Sequence, residues 1–121
     1  MKRYRADLHV HTCLSPCGDL DMSPGRIVRA ARVRGVDILA ICDHNSCENA
    51  VAVIRTAAGM PLRVLPGLEV TSREVVHILA LFENLEDALA MQAVVYANLP
   101  DQAGREPLGP VSYTHLTLPT N

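Results

Sequence analysis

The run Val36–Cys42, VDILAIC, is apolar almost throughout. A strand with one face in water alternates apolar and polar residues. A near-continuous apolar run reads instead as a strand buried on both faces, and such strands belong to parallel sheets covered by helices. The flanking residues supply those helices. Ser23-Pro24 reads as an N-cap followed by proline at the first helical position. Ile27, Ala30, Ala31 and Arg34 follow at helical spacing, and Gly35 sits where a C′ glycine belongs. Glu48–Ala58 reads as a second helix stopped by Gly59 and Pro61, and Asn84 can cap a third through about Tyr96. Strands are expected at Arg5–Val10, Val36–Cys42, Leu62–Leu65 and Glu74–Phe82, with Pro66-Gly67 as a turn leading into Leu68-Glu69-Val70. Strands alternating with helices indicate βαβ units, hence an α/β fold with a parallel sheet.

The 121 residues, 49% hydrophobic, suffice for one domain with a modest core. A net charge of −2 provides no overall basic field for nucleic acid. Arg3, Arg5, Arg26, Arg29, Arg32 and Arg34 could bind anions, but those on the helix read as a solvated face. The opening MKRYR lacks the apolar run of a signal peptide, and no apolar run reaches the roughly 20 residues that span a membrane. A cytoplasmic protein with no membrane partner and with reduced thiols is expected. Cys13 and Cys17 are spaced CxxxC, Cys42 and Cys47 CxxxxC; neither matches the CxxC-like spacing of structural zinc sites. Cys42 reads as a small hydrophobe, and Cys13 and Cys17 as oxidation-sensitive loop thiols. A redox or zinc protein built on these cysteines is therefore disfavoured. Ser15 and Ser46 lack a GxSxG elbow, and there is no P-loop or GxGxxG.

The stretch DLHVHTCLSPCGD puts His9 and His11 one residue apart at the end of the first strand. Side chains two apart on a strand share a face, so both imidazoles can converge on one ion at about 2.0–2.1 Å. Asp7 has the same parity and could orient a ligand histidine from behind. Asp43 and His44 follow the second strand; alone, the pair could be a capping turn. Glu69 ends an apolar run, where a carboxylate needs a charged partner and could bridge two ions. His77, between Val75-Val76 and Ile78-Leu79, reads either as a core histidine or as a ligand. Sites in α/β folds form outside the carboxyl ends of the strands. Four separate elements delivering metal-binding residue types to one edge say more than any single motif.

DLHVHTCLSPCGD, GVDILAICDHN and PGLEVTSREVVHILALF resemble, in order and spacing, the first three motifs of the PHP (polymerase and histidinol phosphatase) family. The resemblance covers about residues 5–96 and is nearest to small stand-alone bacterial members. It implies the N-terminal part of a distorted (β/α)7 barrel, truncated here. It also implies a cluster of up to three divalent metals, Zn, Mn or Fe. Carried over, His9 and His11 would bind the first ion, and Glu69 would bridge it to a second held also by His77. His44 would bind the third. Many relatives have Ser-Asp-Gly after the HxHT segment. Here Pro16 follows Ser15, so Asp19 becomes the nearest acidic ligand, with Asp21 behind it. Asp7 and Asp43 would support the ligands from outside. The family chemistry is phosphoester hydrolysis by a metal-activated water. Substrates would be phosphorylated small molecules such as histidinol phosphate, nucleotides or short oligonucleotides. The alternative is a non-catalytic module binding metal or nucleic acid; retention of His9, His11, His44, Glu69 and His77 favours the enzyme.

The family's later motifs supply another histidine and an Asp-x-His pair. After His77 the only histidine is His115, in VSYTHLTLPTN. That segment reads like one frame of a transposase sequencing adapter. Residues 1–110 are therefore expected to be the N-terminal portion of a PHP domain and 111–121 an adapter-derived tail, leaving a fragment inactive by itself.

Overall fold

The computed structural model describes residues 1–99; the expected tail and His115 lie outside them. Strands β1 (Ala6–Val10), β2 (Ile38–Ile41), β3 (Arg63–Thr71) and β4 (His77–Leu81) alternate with helices α1 (Pro24–Val33) and α2 (Glu48–Thr56); α3 (Leu85–Asn98) follows β4. The strand order is β1-β2-β3-β4. The sheet is a curled half-barrel accompanied by three helices.

The apolar run lies where its composition requires. Leu39, Ala40, Ile41 and Cys42 are all but inaccessible to water, between β1 on one side and β3 on the other. The core joins Ile27, Val28 and Ala31 of α1, Ala50 and Val53 of α2, Leu39 and Ile41 of β2, Leu68 and Val70 of β3, and Ala88 and Val95 of α3. Fully burying a side chain the size of Ile41 or Leu68 contributes about 1.5–3 kcal/mol. Helix ends follow local chemistry. Pro24 opens α1, although the Ser23 side chain makes no capping bond. Asn84 Oδ1 caps α3 by accepting from Asp87 N–H at 2.9 Å. Gly35, at φ +65°, ends α1 in the left-handed conformation that glycine adopts without strain. The arginines of α1 are exposed; Arg26 pairs with Asp21 at 2.7 Å. Among the described residues no helix is long and apolar enough to cross a membrane.

Two expectations are corrected. Pro66-Gly67 is not a turn but the middle of β3. The Pro66 carbonyl accepts from Phe82 N–H at 2.9 Å, just beyond the last β3–β4 ladder pair, Gly67–Leu81. A proline there removes no ladder donor, so the strand runs through. Gly67 serves close approach: a Cβ at this position would lie 2.7 Å from the Ala80 carbonyl oxygen. The second correction concerns the last strand. It begins at His77 rather than Glu74 and runs antiparallel to β3. Its β-branched lead-in, Val75-Val76, reads as strand by propensity but belongs to a tight loop. Val75 N–H donates to Ser72 O at 3.0 Å, Ser72 N–H to Val76 O at 2.9 Å, and Val75 sits at φ +65°. The sheet is thus parallel across β1–β3 only.

Gly67→Ala should lower stability by about 1–3 kcal/mol, because the added methyl meets backbone that can yield only if β4 separates from β3. Equilibrium urea unfolding followed by circular dichroism checks this; an unchanged midpoint would remove the close-approach role.

Candidate metal centre

The sheet brings four imidazoles and one carboxylate to a single rim. His9 lies in β1 and His11 just after it; His44 follows β2. Glu69 lies within β3 rather than after it, because the backbone pairing continues past the end of β2. Glu69 N–H donates to Asp43 O at 3.0 Å, and Asn45 N–H to Glu69 O at 2.9 Å. Because β4 is antiparallel, its first residue, His77, reaches the rim where β1–β3 end, opposite Thr71.

The Glu69 side chain, 8% exposed, is the hub. Its Oε2 lies 3.0 Å from His9 Nε2, 2.9 Å from His11 Nε2 and 3.8 Å from His44 Nδ1; its Oε1 lies 2.7 Å from His77 Nδ1. The two Nε2 atoms are 3.0 Å apart. The His11 and His44 rings stack with centroids 4.8 Å apart, and His77 meets His44 edge-on at 5.4 Å. Burial pushes the Glu69 carboxyl up, but the hydrogen bonds from His9 and His77 and the charges of His44 and His11 outweigh it and hold it below its ordinary value. Burial is also the main influence on His44, lowering it against the pull of Glu69. A neutral imidazole is the form that binds metal.

Behind the rim, Asp43 is buried at 1% exposure. Its Oδ1 accepts from Thr12 N–H and Ser15 Oγ–H, both at 2.6 Å, and its Oδ2 accepts from Thr12 Oγ1 at 2.7 Å. Ser15 Oγ is 3.1 Å from His11 Nδ1 and accepts from His44 N–H at 3.2 Å. A hydroxyl has one proton, and Ser15 gives it to Asp43. His11 Nδ1 must therefore be the donor to Ser15, leaving the Nε2 lone pair facing Glu69. That lone pair and a carboxylate oxygen at 2.9 Å repel unless Nε2 takes up a proton or a metal ion lies between or beside them. Donors on a tetrahedral ion with bonds of about 2.0–2.2 Å stand roughly 3.3–3.6 Å apart, a few tenths of an ångström wider than the 2.9–3.0 Å edges of the His9–His11–Glu69 triangle. The residues therefore fit a metal. Within the rim, His9/His11/Glu69 and His44/Glu69/His77 each bring one donor atom per residue within 4.8 Å of the others, and Glu69 is common to both.

The remaining candidates are placed differently. Asp43 reaches His11 only through Ser15. Asp7 is exposed, and its carboxylate accepts from His9 N–H at 3.4 Å rather than from an imidazole. Asp19 is exposed and caps its own loop by accepting from Asp21 N–H at 2.9 Å; it joins no close donor group among the described residues. Cys17 does: its sulfur groups with His11 and His44. Cys42 and Cys47 are buried, and burial pushes their thiols up to about 12 and about 11. Sequence reasoning missed Thr12, Ser15, Cys17 and Asn49, whose Nδ2 donates to Thr12 Oγ1 at 2.8 Å. The buried Ser15 was legible only as a poor nucleophile; its place in HxHTxxS, four residues after His11, was the available signal.

An uncharacterised protein of Methanocaldococcus jannaschii is 31% identical over 88 residues, which is 66% of this chain and 51% of that protein; the chain thus spans about half the length of this curated relative. A crystal structure from Bifidobacterium adolescentis, provisionally described as a metal-dependent phosphoesterase, superimposes with a TM-score of 0.58 at 27% identity, covering 80% of this chain and 35% of that one. An amidohydrolase from Chromobacterium violaceum, solved with bound sulfate and no metal, gives 0.62 at 30% identity, covering 78% and 33%. The PHP domain family matches residues 7–118, and the chain belongs to that family.

Proposed function

We propose that the protein containing this chain is a metal-dependent phosphoesterase. The observation that carries the reading is the Glu69 carboxylate shared between two histidine groups, with Oε2 facing His9 and His11 and Oε1 facing His77. His9, His11, Glu69, His44 and His77 would hold two or three divalent ions. Bound ions supply the acidity that makes water a nucleophile at neutral pH and the positive charge that offsets phosphate oxygens. The chain's own residues do the positioning. Asp43 and Ser15 hold His11 in the Nδ1–H tautomer, and stacking against His44 fixes its plane. Buried Glu69 supplies negative charge that counters the ions without excess anion to repel the substrate. The phosphoesterase description of the Bifidobacterium relative supports a phosphoester substrate. Phosphorylated small molecules and nucleotides are the substrate class.

The full-length protein loaded with Mn²⁺ or Zn²⁺ should hydrolyse phosphomonoesters or diesters, lose activity to EDTA and regain it on adding metal. Glu69→Gln should lower kcat at least about 100-fold, roughly 2.7 kcal/mol of barrier. Hydrolysis of amides alone, or activity indifferent to EDTA, would reject the reading.

Asp43→Asn turns an amide toward groups that donate to the carboxylate. Metal affinity should fall about 10–100-fold, and stability by about 1–3 kcal/mol. Isothermal titration and urea unfolding read the two effects separately; unchanged metal affinity would make Asp43 purely structural.

The 121-residue chain alone should not turn over. His9 and His77 side chains are 45% and 39% exposed, on outer strands with no cover from the described residues, so bulk water reaches the centre. Sustained EDTA-sensitive hydrolysis by this chain would overturn that expectation.

A further inference from the structure

Of the three donor groups on the rim, one departs from the expected ligand set: His11, Cys17 and His44, whose nitrogens and sulfur lie within 4.8 Å of one another. The acidic residue expected there, Asp19, is turned outward and engaged with Asp21 N–H. We propose that the thiolate of Cys17, not the carboxylate of Asp19, is a metal ligand, completing a nitrogen–sulfur end of the cluster with His44, beside His11, whose one free lone pair serves the His9–Glu69 group. The inference rests on the metal-centre reading above.

Three observations carry it. His11 and His44 come from different elements, and their rings stack, so the sulfur of the exposed Cys17 lies beside a paired imidazole site. His44 is 8% exposed and held by its backbone to Ser15, which makes it a fixed donor toward which an exposed cysteine has only to rotate. The loop also has no slack to bring Asp19 in. Gly18 N–H donates to Ser15 O at 2.8 Å, and a Cβ on Gly18 would lie 2.0 Å from the Thr12 carbonyl oxygen. The chain therefore folds back at residue 17 and leaves the rim by residue 19. Cys42 and Cys47 are sealed in the core, and Cys13 packs against Asn49.

A thiolate changes which ion this end prefers. Sulfur favours Zn²⁺, Fe²⁺ or Co²⁺ over the hard ions Mn²⁺ and Mg²⁺, whereas the Glu69-bridged pair keeps nitrogen and oxygen donors. Binding a thiolate requires loss of the sulfur proton to solvent.

Cobalt(II) reads this directly, because thiolate–cobalt bonds give a near-ultraviolet charge-transfer band and nitrogen–oxygen sites do not. The chain is titrated with Co²⁺ in the presence of reductant, with bound cobalt counted after gel filtration. The band should appear in the unaltered chain, Cys13→Ser and Asp19→Asn, and vanish in Cys17→Ser while circular dichroism stays unchanged. In parallel, metal should slow alkylation of Cys17, read by mass spectrometry. Cobalt bound without the band, or a band that survives Cys17→Ser, overturns the thiolate ligand and leaves the metal centre standing. No bound cobalt in any variant overturns both.

Discussion

A carboxylate buried in the middle of a strand is the constraint on which this molecule turns. Glu69 is nearly inaccessible, and an unpaired buried charge would cost several kcal/mol. Here four imidazoles surround it. To put it there, β3 must run straight from its parallel pairing with β2 into its antiparallel pairing with β4. Gly67 lets β4 approach at the junction, and Pro66 sits where the ladder asks no donor of it. The reversal of β4 then presents His77 on the same rim as residues from the far ends of β1 and β2. Site and sheet topology are one design.

Asp43 supplies the second layer. It collects three hydrogen bonds from Thr12 and Ser15 and so joins the loop after β1 to the end of β2. This makes HVHTCLS and CDHN parts of one polar unit rather than two motifs that happen to be near. A charged acceptor taking all its bonds from a loop fixes that loop, and with it the tautomer of His11. Preorganisation of this kind spares a metal site the ordering of its own ligands.

Much of this was legible in the sequence. The apolar run Val36–Cys42 fixed the central strand, and the glycine and proline punctuation fixed α1 and α2 within a few residues. Convergence of His9, His11, His44 and Glu69 followed from strand ends, which α/β topology places together. His77 could not be placed that way: apolar neighbours are the same for a core histidine and for one that starts an edge strand. The family resemblance made it a ligand, and the antiparallel reversal, invisible in local pattern, brings it to the rim. Pro66-Gly67 failed for a related reason. The pair is turn chemistry when read locally, yet here it answers to the backbone of a neighbouring strand. Asp7 has the right parity but the wrong depth, lying exposed on β1.

The loop after His11 shows how a small change in sequence redistributes donors. Thr12 O accepts from Ser15 N–H, Ser15 O from Gly18 N–H, and Asp19 O from Met22 N–H, so three tight turns follow one another. Pro16 occupies the second position of the middle turn, where its fixed φ is favourable, and Cys17 takes the third. Gly18 permits the contact with the Thr12 carbonyl that any side chain would block. Asp19 then opens the next turn, and its carboxylate accepts from that turn's own Asp21 N–H. Proline at 16 and glycine at 18 therefore select which residue faces His11 and His44. The segment SPCGD hands that position to sulfur while the serine that orients His11 stays in place.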